Sequence, residues 1–276
     1  MPRWAKRRAR SVAAYPDTWR LVADVESFWS FRRFENDDRR STYDDATVPI
    51  RFREVPDAAL RVRPGTADRY LPRDTFFKGH HLPPESLDPL TVRTIWDLGC
   101  NIGFTIAHIA TRYPRARIRG VEIDAGNARL ASRNVERWSD RCEVTQAAVW
   151  PADEEVAYRP HESDELSFHA EPPTGGGDVR PVPGLSLNSL LERSGGPGAV
   201  IDYVKMDIEG AEARVLKENV EWAERARAIK VEVHEPYSVE ECTSDLRRLG
   251  FETQPIPKRR GGVTGLRQDL PLRADP

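Results

Sequence analysis

Residues 94–104 read TIWDLGCNIGF, and the fold of the chain turns on how this stretch is parsed. Its first five positions form an apolar run of strand length, Gly99 and Gly103 mark a sharp turn, and a helical pattern begins after Gly103. Strand, turn and helix make the opening unit of a parallel sheet. Further runs of the same kind follow in ARIRGVEI, CEVTQAAV, VIDYVKM and AIKVEVH, alternating with helix-like segments after Gly126, Glu209 and Tyr237. This alternation predicts an α/β fold, a doubly wound and mostly parallel sheet beginning near Thr91.

The turn spells D-x-G-x-x-x-G through Asp97, Gly99 and Gly103, not the G-x-G-x-x-G of dinucleotide folds. Glycine lets backbone approach a ligand closely, and an acid there repels a pyrophosphate while attracting a cation. S-adenosylmethionine offers both an ammonium and a sulfonium. About twenty residues on, VEID ends the second strand with Glu122, placed to take both ribose hydroxyls of an adenosine. In this order, on the first two strands, these residues predict an S-adenosylmethionine site. Asn101, at the turn, either caps the following helix or reaches the methionine moiety, and Asn134 serves the packing of its helix end.

Composition bounds the rest. The 276 residues include 42 basic and 44 acidic ones, a formal net charge of -2, so no global field draws the chain to nucleic acid or an anionic membrane. No apolar run is long enough to cross a bilayer. Cys100, Cys142 and Cys242 form no C-x-x-C pair, which suggests neither a disulfide framework nor a zinc ribbon, and a reduced cytoplasm is expected. Residues 1–90 read as an N-terminal extension and residues 91–276 as the sheet domain. In the extension, MPRWAKRRAR is expected to be a solvated tail. Residues 16–36 predict one amphipathic helix presenting Trp19, Val22, Val25, Phe28, Trp29 and Phe31, packed within the chain or against a twin in a homodimer. VPIRFREV and ALRVRPG read as two strands. Residues 150–184 break the later alternation and predict a lid insert, with VAYRP and LSFHA as its hairpin. His80, His81, His161 and His169 fall in loops and read as solvated.

YVKMDIEGAE, residues 203–212, sets a lysine and three carboxylates directly after a buried strand. With this stretch the chain resembles the FkbM family of S-adenosylmethionine-dependent methyltransferases. The resemblance runs from Arg63 to Phe251 through RPGTAD, WDLGCNIG, VEID, LSLNSL, KMDIEGAE and KVEVH, of which K-x-D-x-E-G-x-E is the specific motif. It implies a Rossmann-like class I methyltransferase with a seven-stranded sheet. It also implies O-methylation of a small-molecule or oligosaccharide acceptor, a hydroxyl on a carbohydrate, glycolipid or other natural product. Arg63, Thr66 and Asp68 are then expected to close over the methionine end of the cofactor. The whole cofactor set comprises these three with Asp97, Gly99, Asn101, Gly103, Glu122, Ile123, Ala147 and Asp207. The first 60 residues and the 150–184 insert match nothing in the family pattern.

Ligands of an open α/β sheet sit outside the carboxyl ends of its strands, and Asp97, Glu122, Asp207 and His234 each end a predicted strand. Methyl transfer requires an aligned acceptor and the disposal of one proton. An alkyl hydroxyl releases its proton about as reluctantly as water, whose pKa is about 15.7, so a base or a metal must help. His234 is the candidate base, neutral at pH 7 by its ordinary pKa near 6.5. Asp207 either orients it or joins Glu209 and Glu212 as oxygen ligands of magnesium. Lys205 is expected to pair with Asp207 or Glu209, and the catalytic set is His234, Asp207, Glu209 and Lys205. Bland readings stand beside these, with Asp207 a helix cap and Glu209 and Glu212 ornaments of a first helical turn. Two rival functions stay open. One is methylation of nucleic acid or protein, against which stands the lack of a basic, aromatic stripe beyond the N-terminal tail. The other is a non-catalytic, methyltransferase-like binding subunit.

Overall fold

Each apolar run quoted above becomes strand in the computed structural model, which describes residues 15–37, 47–160, 168–171, 180–196, 198–256, 261–268 and 270. The basic tail and His161 lie outside the described residues, as does the side chain of His169. The chain divides into two units, Met1–His80 and His81–Pro276.

In the first unit the helix expected over 16–36 is two helices, α1 (Pro16–Leu21) and α2 (Val25–Glu35). The break has a local cause. Asp24 adopts extended backbone and accepts the Ser27 N–H at 2.7 Å, so it caps a new helix where the periodic pattern alone would have run on. Val22 bridges to Phe52 instead of extending α1. Phe28, Phe31 and Phe34 of α2 are buried, whereas Val25 is exposed. The predicted strands form an antiparallel hairpin, β1 (Val48–Phe52) and β2 (Val55–Val62), whose Ile50, Phe52, Leu60 and Val62 are buried.

The second unit runs β3 (Thr94–Leu98), α3 (Phe104–Arg112), β4 (Arg117–Glu122), α4 (Ala125–Asn134), β5 (Cys142–Gln146), β6 (Ala148–Val149), β7 (Glu155–Pro160), β8 (Phe168–Glu171) and β9 (Arg180–Leu185). It continues through α5 (Leu187–Arg193), β10 (Tyr203–Met206), α6 (Glu212–Val215), β11 (Ala228–Glu232), α7 (Val239–Arg248), β12 (Glu252–Ile256) and β13 (Gly262–Leu266). The main sheet has seven strands in the order β12-β13-β11-β10-β3-β4-β5. All its pairings are parallel except those of β13, which opposes both β11 and β12. Strand order therefore reverses between β3 and β10, and the crevice outside their carboxyl ends is where an open sheet binds ligands.

Every residue of β3 and of β10 is buried, as expected of strands covered on both faces. Trp96, Leu98, Val204, Met206, Ile229 and Val231 belong to one apolar core. The insert is a folded four-stranded sheet, β6-β9-β7-β8, in which β7 and β8 are the antiparallel pair expected from VAYRP and LSFHA. Trp150, Val156, Tyr158 and Val182 form its own small core, against which Ile123 and Ile208 of the main domain pack.

Candidate active site

Two buried charges decide how the glycine turn is built. Register sets Lys205 of β10 beside Asp97 of β3, and Lys205 Nζ lies 3.3 Å from Asp97 Oδ1 and 3.4 Å from Asp207 Oδ2. The same ammonium donates to the Gly99 carbonyl at 2.7 Å. Asp97 is fully buried and also receives the Thr105 hydroxyl. Asp97 thus has the chain's own lysine beside it. Burial pushes the Asp97 carboxyl above its ordinary value against the pull of Lys205 and Thr105. Burial works to strip Lys205 of its proton, but Asp97 and Asp207 outweigh it and raise its pKa. Lys205 pairs with Asp207, as one expected alternative had it, and with Asp97, which sequence reasoning did not foresee.

Close approach explains the glycines. A Cβ on Gly99, whose φ is +77, would lie 1.8 Å from the Asp207 carbonyl oxygen, and one on Gly103, φ +81, would lie 3.0 Å from Ala131 Cα. Asn101 is also left-handed, at φ 49, and its Oδ1 accepts the Ile102 N–H at 2.7 Å. It therefore stabilises its own turn, while the N-cap position of α3 is Gly103. Asn134 donates to the Ile102 carbonyl at 2.8 Å from its buried helix end, the packing role expected of it.

Glu122 closes β4 with both oxygens engaged: Oε2 accepts the Asn101 N–H at 2.8 Å and Oε1 the Asp124 N–H at 3.0 Å. A carboxylate has about four lone-pair sites, so a diol can still be accepted. Burial lifts the Glu122 pKa to about 7, against the two N–H bonds that lower it. Ile123 is half-buried beside it, and buried Ala147 donates its N–H to the Glu122 carbonyl at 3.0 Å.

The second cluster gathers where β10 and β11 end. Glu209 has φ 54 and Gly210 φ 109, a reversal that returns Glu212 beneath its own loop. Glu212 is fully buried, accepting the Ile208 N–H at 3.3 Å and the Gly210 N–H at 2.9 Å, with His234 Nδ1 at 2.8 Å. His234 Nε2 faces Glu209 Oε2 at 3.3 Å and Asp207 Oδ1 at 3.7 Å. Orientation of His234 thus comes from Glu212, the residue expected among metal ligands. Burial opposes the charged imidazole, but the Glu212 hydrogen bond and the charges of Glu209, Glu212 and Asp207 outweigh it and raise the pKa to about 9. The expected neutral imidazole at pH 7 gives way to an imidazolium because three carboxylates surround it. Glu232, which sequence reasoning missed, joins Asp207 and His234 in a group whose ligand atoms lie within 4.8 Å of one another. Its only advance signal was a strand-end acid inside KVEVH.

Arg63, Thr66 and Asp68 meet one another in the first unit. Arg63 donates to Asp68 Oδ2 from N and Nε, both at 2.9 Å, and to Oδ1 from Nη2 at 2.7 Å, while the Thr66 hydroxyl donates to the Arg63 carbonyl at 2.8 Å. The solvated reading of His81 is also revised. Its ring is buried with Nε2 3.0 Å from His108 Nδ1, and its carbonyl accepts the Tyr203 hydroxyl at 3.0 Å.

Residues 97–253, which hold the glycine turn, both acidic rims and His234, match the family described as Methyltransferase FkbM domain. The chain belongs to this family. As an FkbM-domain protein it is a methyltransferase of the S-adenosylmethionine-dependent type with a Rossmann-like class I sheet. Among solved structures this FkbM chain is similar to the METTL16 methyltransferase domain, at 14% identity and a TM-score of 0.44 over 95% of this chain and 92% of that one. It is similar to an O-methyltransferase family protein from Burkholderia thailandensis at 10% identity and a TM-score of 0.44, over 72% of this chain and 57% of that one. It is also similar to precorrin-6y C5,15-methyltransferase from Geobacter metallireducens GS-15 at 11% identity and a TM-score of 0.40, over 65% and 82% of the two chains. No curated protein matches the FkbM chain. Among its described residues, no helix is long and apolar enough to cross a membrane.

Proposed function

We propose that this FkbM-family protein methylates a hydroxyl of a carbohydrate, glycolipid or other natural-product acceptor. The observation that carries the reading is the Glu212–His234 pair, whose buried Nε2 makes no hydrogen bond among the described residues and lies beside Asp207 and Glu209 past the carboxyl ends of β10 and β11. An alcohol holds its proton too tightly to lose it unaided, with a pKa of about 15.7 for water as the guide, so a positioned acceptor for that proton is the feature this chemistry needs most.

S-adenosylmethionine, when bound, supplies a methyl group on a positively charged sulfur. Glu122 offers its spare lone pairs to the ribose hydroxyls, Gly99, Asn101 and Gly103 shape the turn, and Ile123 and Ala147 flank it. Asp207 and Glu209 favour a cation at the rim. A second positive charge near the imidazolium lowers the His234 pKa and so favours the neutral ring that a base requires. Its Nε2 then accepts the hydroxyl proton, and Glu212, fixed by two backbone N–H groups, stabilises the charge that returns to the ring.

Magnesium does not fit the donors expected for it. Glu212 is fully buried, with its oxygens engaged by Ile208, Gly210 and His234. The alternative group of Asp207, Glu232 and His234 places an imidazole nitrogen among the donors, which suits transition ions better than magnesium. No step here uses a metal. The acidic rim also disfavours polyanionic acceptors, whose affinity rests on cationic contacts to phosphate. Transfer of labelled methyl from S-adenosylmethionine to a panel of sugars, oligosaccharides and glycolipids tests the proposal, with RNA and protein as comparison arms and a chelator in parallel. Labelled sugar or lipid that persists under chelation is expected. Label confined to RNA or protein overturns the assignment.

A further inference from the structure

Tyr158 lies in the insert, on β7, far along the chain from the cofactor-binding turns, yet its hydroxyl reaches them. The ring is buried, 2% exposed, and the hydroxyl donates to Asp124 Oδ2 at 3.2 Å. Asp124 is itself 1% exposed and bonds in two further directions. Its Oδ1 accepts the Asn127 N–H at 2.9 Å, capping α4, and its backbone N–H donates to Glu122 Oε1 at 3.0 Å. The opposite oxygen of Glu122 is held by Asn101 of the glycine turn at 2.8 Å. One end of the Glu122 carboxylate is therefore fixed by the turn, and the other through Asp124 by the insert. Arg180, on β9 of the same insert, stands 3.9 Å from Asp124 Oδ2. Packing reinforces the connection, because Ile123, between Glu122 and Asp124, seats against the insert core that contains Tyr158.

We propose that Tyr158 is a positioning residue for cofactor binding, holding Asp124 so that Glu122 presents its free lone pairs to the ribose diol. The inference rests on the S-adenosylmethionine reading of Glu122. Tyr158 touches neither reacting atom, so its effect falls on the affinity for the adenosyl half of the cofactor and not on the chemical step. A carboxylate held at both ends has less orientational freedom to lose when it binds two hydroxyls.

The test is a double-mutant cycle of Tyr158→Phe and Glu122→Gln in the full chain, read by calorimetry with S-adenosylmethionine and with S-adenosylhomocysteine. Tyr158→Phe keeps the buried ring and removes the hydroxyl's bonds to Asp124 and Arg180, so both dissociation constants should rise about three- to tenfold, with kcat unchanged at saturating cofactor. In the Glu122→Gln background the same change should have almost no further effect, because the two act through one group. Val156→Ala serves as the control for packing. It thins the same insert core, on which Ile123 packs, and should lower thermal stability while raising both dissociation constants less than Tyr158→Phe does. Additive losses in the cycle, an unchanged affinity in Tyr158→Phe, or an equal loss of affinity in Val156→Ala would each overturn the inference. A wild-type protein that binds neither ligand removes the cofactor reading beneath it and the inference together.

Discussion

Glu212→Gln keeps the shape of the group that holds His234 and removes its charge. In the native site the His234 pKa rises from 6.5 to about 9, with burial opposed and outweighed by the Glu212 hydrogen bond and by the charges of Glu209, Glu212 and Asp207. A difference of about 2.5 units corresponds to about 3.4 kcal/mol in favour of the protonated ring in the folded state. The side chain is 14% exposed, and solvent screening reduces the usable part to roughly 2 kcal/mol. Because the folded pKa is raised, this stabilisation is present in full below about pH 6.5, declines as pH climbs, and is gone above about pH 9. Glu212 supplies the largest share, so Glu212→Gln should lose about 1 kcal/mol more stability at pH 6 than at pH 10. A pH-independent loss from weakened bonds to Ile208 and Gly210 adds to both. Urea denaturation across this range, together with NMR titration of the His234 ring, provides the measurement. The substitution should lower the ring midpoint by a unit or so. Stability losses that stay equal from pH 6 to pH 10, or a midpoint that does not move, would refute the reasoning.

Other substitutions and conditions probe the remaining parts of the site. Burial holds Glu122 near pKa 7, and its ionised form is the better acceptor for a diol. Cofactor affinity should therefore increase as pH rises through about 7 and level off about one unit above. Calorimetry should show Glu122→Gln flat over the same span, and a flat wild-type profile would count against the ribose assignment. Lys205→Met leaves Asp97 buried without its cation and should cost about 3–5 kcal/mol in denaturant unfolding. Adding Asp97→Asn should recover part of that loss, and a fully stable Lys205→Met protein would contradict the pairing. Gly99→Ala places a Cβ 1.8 Å from the Asp207 carbonyl at φ +77. It should cost more than about 3 kcal/mol or abolish soluble expression, and native stability would contradict the register between β3 and β10.

The central sheet was legible because its strands announce themselves physically. TIWDL and YVKM are continuous apolar runs with one charge each, and each becomes a strand buried at every position. The helix break was harder to read, since apolar periodicity continues through residues 22–24 and only the Asp24 cap interrupts it. Charges at strand ends were visible, but their partners were not. Asp97 and Lys205 are more than a hundred residues apart in sequence, and only the register of two parallel strands makes them neighbours. Read alone, Asp97 suggests a ligand for a cation, and nothing in its own segment announces Lys205 as a neighbour. The imidazolium state of His234 was hidden for the same reason, since the carboxylates that fix it come from a loop on another strand. Tyr158 gave no sign at all, being one aromatic residue in an alternating strand, and only the folded insert brings its hydroxyl to Asp124.

The spacing within KMDIEGAE follows from the same geometry. Lys205 grips β3 through Asp97 and the Gly99 carbonyl, and the Asp207 N–H completes the join by donating to the Leu98 carbonyl at 3.0 Å. The left-handed Glu209 and Gly210 then turn the chain back, and Glu212 ties its own loop to His234 beyond β11. One short motif thus clamps β3, β10 and β11 together at the point where strand order reverses, and its buried charges are tolerable because each has a partner on a neighbouring strand. The two halves of the clamp differ in kind. Lys205 offsets the burial of Asp97, whose carboxyl is already pushed above its ordinary value, so cutting the β3 side should weaken the fold more as pH rises and Asp97 must ionise without a cation. The β11 side works through a histidine that titrates near pH 9, so cutting it should weaken the fold most in acid. Parallel unfolding series for Lys205→Met and Glu212→Gln separate the two, since their losses should run in opposite directions with pH, and a lysine-variant loss that is largest in acid would mean that the halves are not independent.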